Sequence, residues 1–121
     1  PYSEYFIWFD DREYTLRLTA RCPGVQVLDS VVVHDMGDNR GVNFAMVDRK
    51  SLWKFSYGVR NEASWQLHHR GFLYFMEFGA RLFVSLHRGR VPLDLRAKLL
   101  GKWVKGITFN PKIKYPEAEA A

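Results

Sequence analysis

The sequence predicts an α/β fold, with short strands in the first 50 residues and a mostly α-helical remainder. Residues 5–9 (YFIWF) form an entirely apolar, β-prone run, which is typical of a strand buried on both faces. Residues 25–34 (VQVLDSVVVH) alternate and then become continuously apolar, as a strand entering a core does. From Leu52 onward, apolar residues recur at helical intervals, and Gly71 interrupts that pattern.

A short helix is predicted between the two strands, from about Asp11 to Arg21. Glu13 and Arg17 are spaced to pair one turn apart, and Pro23-Gly24 is a stop signal. Asp10 precedes Glu13 by three residues, which predicts a capping box with Asp10 as the N-cap. A carboxylate favoured by the positive helix end can also accept a proton, so capping and catalysis both remain open for this acidic pair.

The helical remainder contains two further predicted helices. Residues 72–86 are apolar nearly all round, but a helix of that length reaches only about 22 Å, whereas the hydrocarbon core of a bilayer is about 30 Å thick. The segment Leu93 to Ile107 predicts a basic amphipathic helix, because Lys98, Lys102 and Lys105 fall within about 60° of one another and Trp103 lies opposite them. These four residues predict docking on an anionic membrane surface.

Composition limits the classes of protein to consider. The chain has 121 residues, 47% of them hydrophobic, which is enough for one core. A single cysteine, Cys22, allows no internal disulfide and indicates a reducing cytoplasm. Between residues 81 and 114 there are nine Lys or Arg against one acid, so a phosphate-bearing partner is expected, either a membrane face or nucleic acid. No nucleic-acid-binding motif is recognisable, and the membrane, reached from the cytoplasmic side, is favoured.

Three segments, in order, resemble glycosyltransferase family 2, in its bacterial galactofuranosyl- and rhamnosyltransferase-like branch. They are FIWFDDREYTLRL from residue 6, VVVHDMG from residue 31 and YGVRNEASW from residue 57. The resemblance implies the C-terminal part of a Rossmann-like GT-A catalytic domain. It also implies inverting sugar transfer from a nucleotide-sugar donor to a saccharide or lipid-linked acceptor, in cell-wall or surface-polysaccharide synthesis.

The same resemblance implies roles for individual residues. Asp11 matches the catalytic base that deprotonates the acceptor hydroxyl, and Asp10 matches the acid beside it. Trp8 and Phe9 are expected to line the acceptor site. His34 matches a ligand of the divalent metal, Mg or Mn, that holds the donor diphosphate. Arg17 and the Arg60-Asn61 pair also match the pattern, without an assigned role.

The predicted organisation has three parts. Residues 1–50 are the acceptor side of the catalytic domain, residues 51–115 a basic helical region that associates with membranes, and residues 116–121 a tail. No Asp-x-Asp motif occurs in the sequence, so the nucleotide-binding half is expected to lie elsewhere in a longer protein, and the chain alone is expected to be inactive. The alternative is a non-catalytic, basic module that binds membranes or nucleic acid.

Overall fold

A computed structural model describes residues 3–25, 27–31, 33 and 42–111, and 66% of these residues are helical. The four α-helices are α1 (Asp10–Thr19), α2 (Leu52–Trp65), α3 (Phe72–Arg88) and α4 (Leu93–Lys105). Single 3-10 turns occupy Ser3–Tyr5 and Phe44–Met46, and a π-helical turn, Gln66–Arg70, extends α2.

The predicted α/β class, with its GT-A architecture, is wrong for the described residues, which contain neither a strand nor a sheet. In the run 5–9, Phe6, Trp8 and Phe9 have φ values of 56°, 62° and 66°, whereas a strand requires extended backbone with negative φ. The described residues between 25 and 33 have no partner strand within residues 3–25 and 42–111, and Val31 is 85% exposed. A β-prone sequence forms no strand without a neighbour to pair with.

The hydrophobic core lies between α2, α3 and α4. Helix α4 packs mainly on α2 and secondarily on α3. Each helix turns an apolar stripe inward, at the spacing that a period of about 3.6 residues requires. The buried core residues are Val47, Phe55, Val59, Ala63, Phe75, Phe78, Leu82, Leu86, Val91, Leu95 and Leu99.

Helices α2 and α3 are joined without a loop of ordinary length. The π turn ends with a hydrogen bond from the amide of Gly71 to the carbonyl of Gln66, of 2.9 Å. Gly71 has φ 102°, a conformation that a residue with a side chain rarely adopts. The glycine therefore ends the π turn, and α3 starts at the next residue.

The observed helices lie close to the predicted ones, with shifts at their ends. Helix α1 begins at Asp10, one residue before its predicted start, and ends at Thr19. Helix α3 continues to Arg88, and α4 ends at Lys105, short of the predicted Ile107. Within the described part of the chain, no helix combines the length and the apolar character needed to cross a membrane.

Candidate functional site

The loop that precedes α1 has an unusual backbone. Three of its aromatic residues, Phe6, Trp8 and Phe9, adopt the left-handed conformation, which costs about 1–2 kcal/mol for each residue that carries a side chain. Such conformations persist only where the surrounding structure imposes them, and they concentrate at functional sites. The hydrogen bonds that hold this loop come from α2.

Asn61, on α2, holds the loop in place. Its side chain is fully buried, and Nδ2 donates to the carbonyl oxygens of Tyr5 (2.8 Å), Ile7 (3.1 Å) and Trp8 (3.0 Å). An amide nitrogen carries two hydrogens, so one of them is shared between two carbonyls. One side chain thus donates hydrogen bonds to three backbone carbonyls of a loop whose left-handed residues form no regular helix or sheet.

Arg60 orients the amide of Asn61. Its Nε and Nη2 donate to Asn61 Oδ1 at 3.1 and 2.9 Å, which leaves Nδ2 to face the loop carbonyls. Nη2 also donates to the carbonyl of Glu4, at 2.5 Å, and the guanidinium carbon lies 3.8 Å from the centre of the Phe109 ring. Burial lowers the pKa of Arg60. The pair therefore anchors the loop from residue 4 to residue 8.

Helix α1 starts differently from the prediction. Phe9, in the left-handed conformation, is the N-cap, and no side chain caps the helix. Asp10 is the first helical residue, so the predicted capping box does not form. Glu13 is 1% exposed and pairs with Arg17, with 2.7 Å between Oε1 and Nε. The pairing of Glu13 with Arg17 is confirmed, and the acidic pair at positions 10 and 11 is not used as a side-chain cap.

Asp11 lies in the wall of a cavity of about 310 Å³, together with Trp8, Phe9, Arg12 and Val42; these five residues are called the aromatic-acid pocket below. The Asp11 side chain is exposed, and its Oδ1 accepts a hydrogen bond of 2.7 Å from the amide of Arg12. Asp11, Trp8 and Phe9 therefore line one cavity, and their roles as base and acceptor walls stay a prediction.

Two contacts fix the aromatic walls of the pocket. The Trp8 indole packs edge-on against Phe55, with 5.2 Å between ring centres, and lies so close to Gly58 that an added Cβ there would overlap it. The Arg12 guanidinium lies over the ring of Trp65 at 4.6 Å and over that of Phe9 at 5.5 Å. Residues of α2 do not line the pocket, but they pack behind its aromatic side chains and hold them in place.

A partly buried acid, Glu62, lies beyond the pocket on α2. Burial raises the pKa of Glu62, and this is the largest influence; a hydrogen bond from Gln66 and the positive charges of Arg81 and Arg12 act in the opposite direction. The closest approach of the Arg81 guanidinium to the Glu62 carboxylate is 3.9 Å. Glu62 lines a second cavity of about 290 Å³, which shares Val42 with the aromatic-acid pocket.

The residues predicted to bind a membrane are not all on one surface. Lys98 and Lys105 are exposed, whereas Lys102 is partly buried and lines a cavity beside Arg60. Trp103 stacks on Phe75, with 4.5 Å between ring centres, and its Nε1 donates to the Phe75 carbonyl. Trp103 is therefore packed between α3 and α4, away from the lysines.

The predicted metal ligand, His34, lies outside the described residues. Among the residues that are described, no three His, Cys, Asp or Glu side chains come together as a metal site. The prediction places Asp10 and Asp11 on the acceptor side, and two adjacent carboxylates do not by themselves make a metal site. The divalent metal stays a prediction, and no chemical step is derived through it.

Sequence reasoning noticed Arg60 and Asn61 but gave them no role. Only the family resemblance pointed to these two residues. An Arg-Asn pair within an apolar helical stripe does not reveal which backbone carbonyls its side chains bind. Trp65 and Gly58, which pack against the side chains that line the pocket, had no signal that separates them from ordinary core residues. These contacts join positions more than 45 residues apart, so they depend on tertiary structure.

Comparisons of this chain with protein-family models, with curated proteins and with solved structures give no match. The resemblance to glycosyltransferase family 2 therefore stays a prediction that depends on the three quoted segments.

Proposed function

We propose that this chain is the acceptor-binding part of an inverting glycosyltransferase of the family 2 type, with Asp11 as the general base. One observation carries the proposal. The exposed Asp11 carboxylate lies in the wall of the same cavity as two aromatic side chains, at the end of a loop whose left-handed residues are held by the buried Asn61. An acid that only capped α1 would need no such loop.

The chemistry requires a base at this point. As the acceptor oxygen attacks the anomeric carbon, a new carbon–oxygen bond forms, the bond to the diphosphate breaks, and the diphosphate leaves with the electron pair. The hydroxyl proton passes to the Asp11 carboxylate. An alcohol is a weak nucleophile, and a positioned general base contributes about 10²–10⁴-fold to the rate of such a reaction.

The other residues of the pocket bind and orient the acceptor. Trp8 and Phe9 offer apolar ring surface to the C–H faces of a sugar, and Arg12 offers guanidinium N–H donors to sugar hydroxyls. Asp10, the first residue of α1, does not line the pocket; its proposed role is to support the base beside it. The proposal assigns donor binding and the divalent metal to other parts of the protein, including His34.

Acceptor binding can be tested on the chain by saturation-transfer NMR with oligosaccharides that end in galactofuranose or rhamnose. We expect magnetisation transfer to sugar C–H protons, and loss of at least tenfold of this signal in Trp8→Ala and in Val42→Trp. The second variant fills the cavity without removing a core contact. Tyr74→Ala, which removes an aromatic ring on α3, should bind as the parent does. Transfer that is absent, or unchanged in both variants, would contradict the acceptor site.

The base can be tested in a protein that carries these residues together with a nucleotide-sugar-binding half. Asp11→Asn should lower turnover by about 10²–10⁴-fold, while acceptor binding and the circular dichroism spectrum are retained. Asp29→Asn, which removes an exposed acid outside the pocket, is the matched control. An Asp11→Asn protein with parental turnover would place the base elsewhere.

A further inference from the structure

Helix α3 exposes an apolar stripe, which the exposed His87, stacked on Phe83, ends on its C-terminal side. Phe72, Leu73 and Met76 are 63%, 80% and 44% exposed, and Phe83 and Val84 are 57% and 45% exposed. On a wheel of about 100° per residue these five side chains fall within about 120°, next to the arc that faces the core. Isolated exposed apolar residues are ordinary, but a stripe along the length of a helix marks an interaction surface.

Helix α4 continues this stripe. Leu93 and Val104 are 77% and 51% exposed, and they lie on one side of α4. Trp103 fills the seam between the helices, where an added Cβ on Gly79 of α3 would lie 2.6 Å from its ring. Because α2 packs on the opposite side of both helices, the exposed apolar residues of α3 and α4 lie on one surface, here called the docking face.

Cationic side chains border the docking face on both sides. On the wheel, Arg81 and Arg88 follow the apolar arc of α3, and Lys98 and Lys105 follow the apolar arc of α4, each on the side away from the other helix. All four residues are exposed. The ordering across the surface is therefore cations, apolar stripe, Trp103 seam, apolar stripe, cations.

Three acids lie near these borders, and all are paired. Glu77 and Glu62 approach the Arg81 guanidinium at 3.6 and 3.9 Å, and Asp94 pairs with Arg49 at 3.0 Å. Arg88, Lys98 and Lys105 form no ion pair among the described residues, so the α4 border keeps an excess of positive charge and Arg88 is the uncompensated cation of the α3 border. This arrangement matches the amphipathic helices that lie in a membrane interface with their apolar side in the lipid.

We propose that the docking face binds the surface of an anionic bilayer, with α3 and α4 parallel to the membrane plane. The apolar stripes enter the boundary between headgroups and acyl chains, and the bordering cations contact lipid phosphates. Trp103 stays packed in the seam between α3 and α4. This inference goes beyond the proposed function, since it stands whether or not Asp11 is a base.

The charge pattern favours a membrane over the other occupants. A second copy docked face to face would bring cationic borders together, because both borders carry the same sign. A nucleic acid would have to lay its phosphates across large apolar side chains. An anionic bilayer offers both an apolar interior and a negatively charged rim, in the arrangement that the face requires.

Vesicle sedimentation tests the proposal on the chain. We expect it to bind vesicles of equal parts phosphatidylglycerol and phosphatidylcholine at least tenfold more tightly than vesicles of phosphatidylcholine alone, and to lose binding between about 0.1 and 1 M salt, where screening shortens from about 10 to about 3 Å. Met76→Ser with Phe83→Ser, and separately Lys98→Gln with Lys105→Gln, should each weaken binding at least fivefold. Leu28→Ser, at an apolar residue that is 81% exposed outside the face, is the control.

A fluorophore locates the inserted side. With Cys22, the single cysteine, changed to Ser, an environment-sensitive dye on Phe83→Cys should shift to the blue on anionic vesicles, and the same dye on Leu28→Cys should not. Three results would overturn the proposal: no preference for anionic vesicles, a blue shift that arises only from self-association seen by ultracentrifugation, or tight oligonucleotide binding that the Met76 and Phe83 changes leave intact while vesicle binding is absent.

Discussion

At the scale of single residues, the candidate site depends on one buried amide. Asn61 donates to three loop carbonyls and accepts from Arg60. Asn61→Asp keeps the shape and the bond from Arg60 but replaces the donors with an acceptor that faces the carbonyls. We expect this change to lower the free energy of unfolding by about 2–3 kcal/mol, since buried unsatisfied polar groups cost about 1–3 kcal/mol and charged ones more.

Urea unfolding followed by circular dichroism measures this loss. Asn43→Asp is the matched control, because the exposed Asn43 side chain acts only as an acceptor, from the amide of Ala45, and an aspartate can do the same. That control should stay within about 0.5 kcal/mol of the parent. If Asn61→Asp unfolds at the parental urea concentration, the amide is not what holds the loop.

Glu62 gives the second residue-scale prediction. Burial raises its pKa above about 4.5, the ordinary value for Glu. Between the ordinary pKa and the raised pKa of Glu62, the folded state binds more protons than the unfolded state. The contribution of Glu62 to stability therefore falls as the pH rises from the ordinary to the raised pKa, and it is constant at higher pH. Glu62→Gln removes this contribution, so we expect the melting temperature of the variant, minus that of the parent, to increase with pH from about 4.5 until the raised pKa is passed.

Thermal melts at several pH values between about 4 and 8 test this expectation. Glu77→Gln is the control, because it removes the exposed carboxylate that also approaches Arg81 and so corrects for the lost ion pair. A difference between Glu62→Gln and the parent that is flat with pH would show that Glu62 titrates alike in the folded and unfolded states.

At the scale of secondary structure, two glycines in helices have opposite roles. Gly79 on α3 admits the Trp103 ring, and an added Cβ would lie 2.6 Å from it; Gly101 on α4 has no neighbour within 4 Å of such a Cβ. Gly79→Ala should therefore destabilise the protein by about 1–3 kcal/mol through overpacking. Gly101→Ala should stabilise it by about 0.5–1 kcal/mol through helix propensity.

Urea unfolding of the two variants and of the double variant measures both effects. The sites do not share a contact, so the two changes should add within about 0.5 kcal/mol. Equal effects of the same sign would show that helix propensity, rather than the packing of α3 on α4, decides the outcome.

The elements that the sequence predicted well are those whose signals are local. Helices α3 and α4 follow from apolar residues a turn apart, and Gly71 marks the break between α2 and α3. The strand predictions failed because pairing is not local: the run 5–9 is bound by Asn61 from α2, and the segment after Val25 has no strand beside it among the described residues. The capping box failed for a related reason, since the turn of Phe9 moved the start of α1.

At the scale of the whole molecule, the same division applies to the candidate site. Trp8, Phe9 and Asp11 are close in sequence, so one short motif was enough to predict that they share a site. Asn61 and Gly58, which shape the pocket, lie on another helix, and their contacts become visible only when α2 packs on the loop. The docking face likewise could not be predicted from the sequence, because it depends on the packing of α3 on α4, which places Trp103 between the two helices.

The described residues between 25 and 33 form an apolar, β-prone segment that has no partner strand in the part of the chain that the structure describes. Val25, Leu28 and Val31 are 88%, 81% and 85% exposed, and unpaired segments of this composition associate with other copies. We therefore expect the chain to aggregate with increasing concentration, and Val31→Lys to raise the concentration at which light scattering begins. Because Val31 lacks core contacts, the change should alter the free energy of unfolding by less than about 0.5 kcal/mol. Met76→Ser with Phe83→Ser serves as the comparison: if that pair suppresses aggregation while Val31→Lys does not, the docking face is the surface that associates, and this segment is inert.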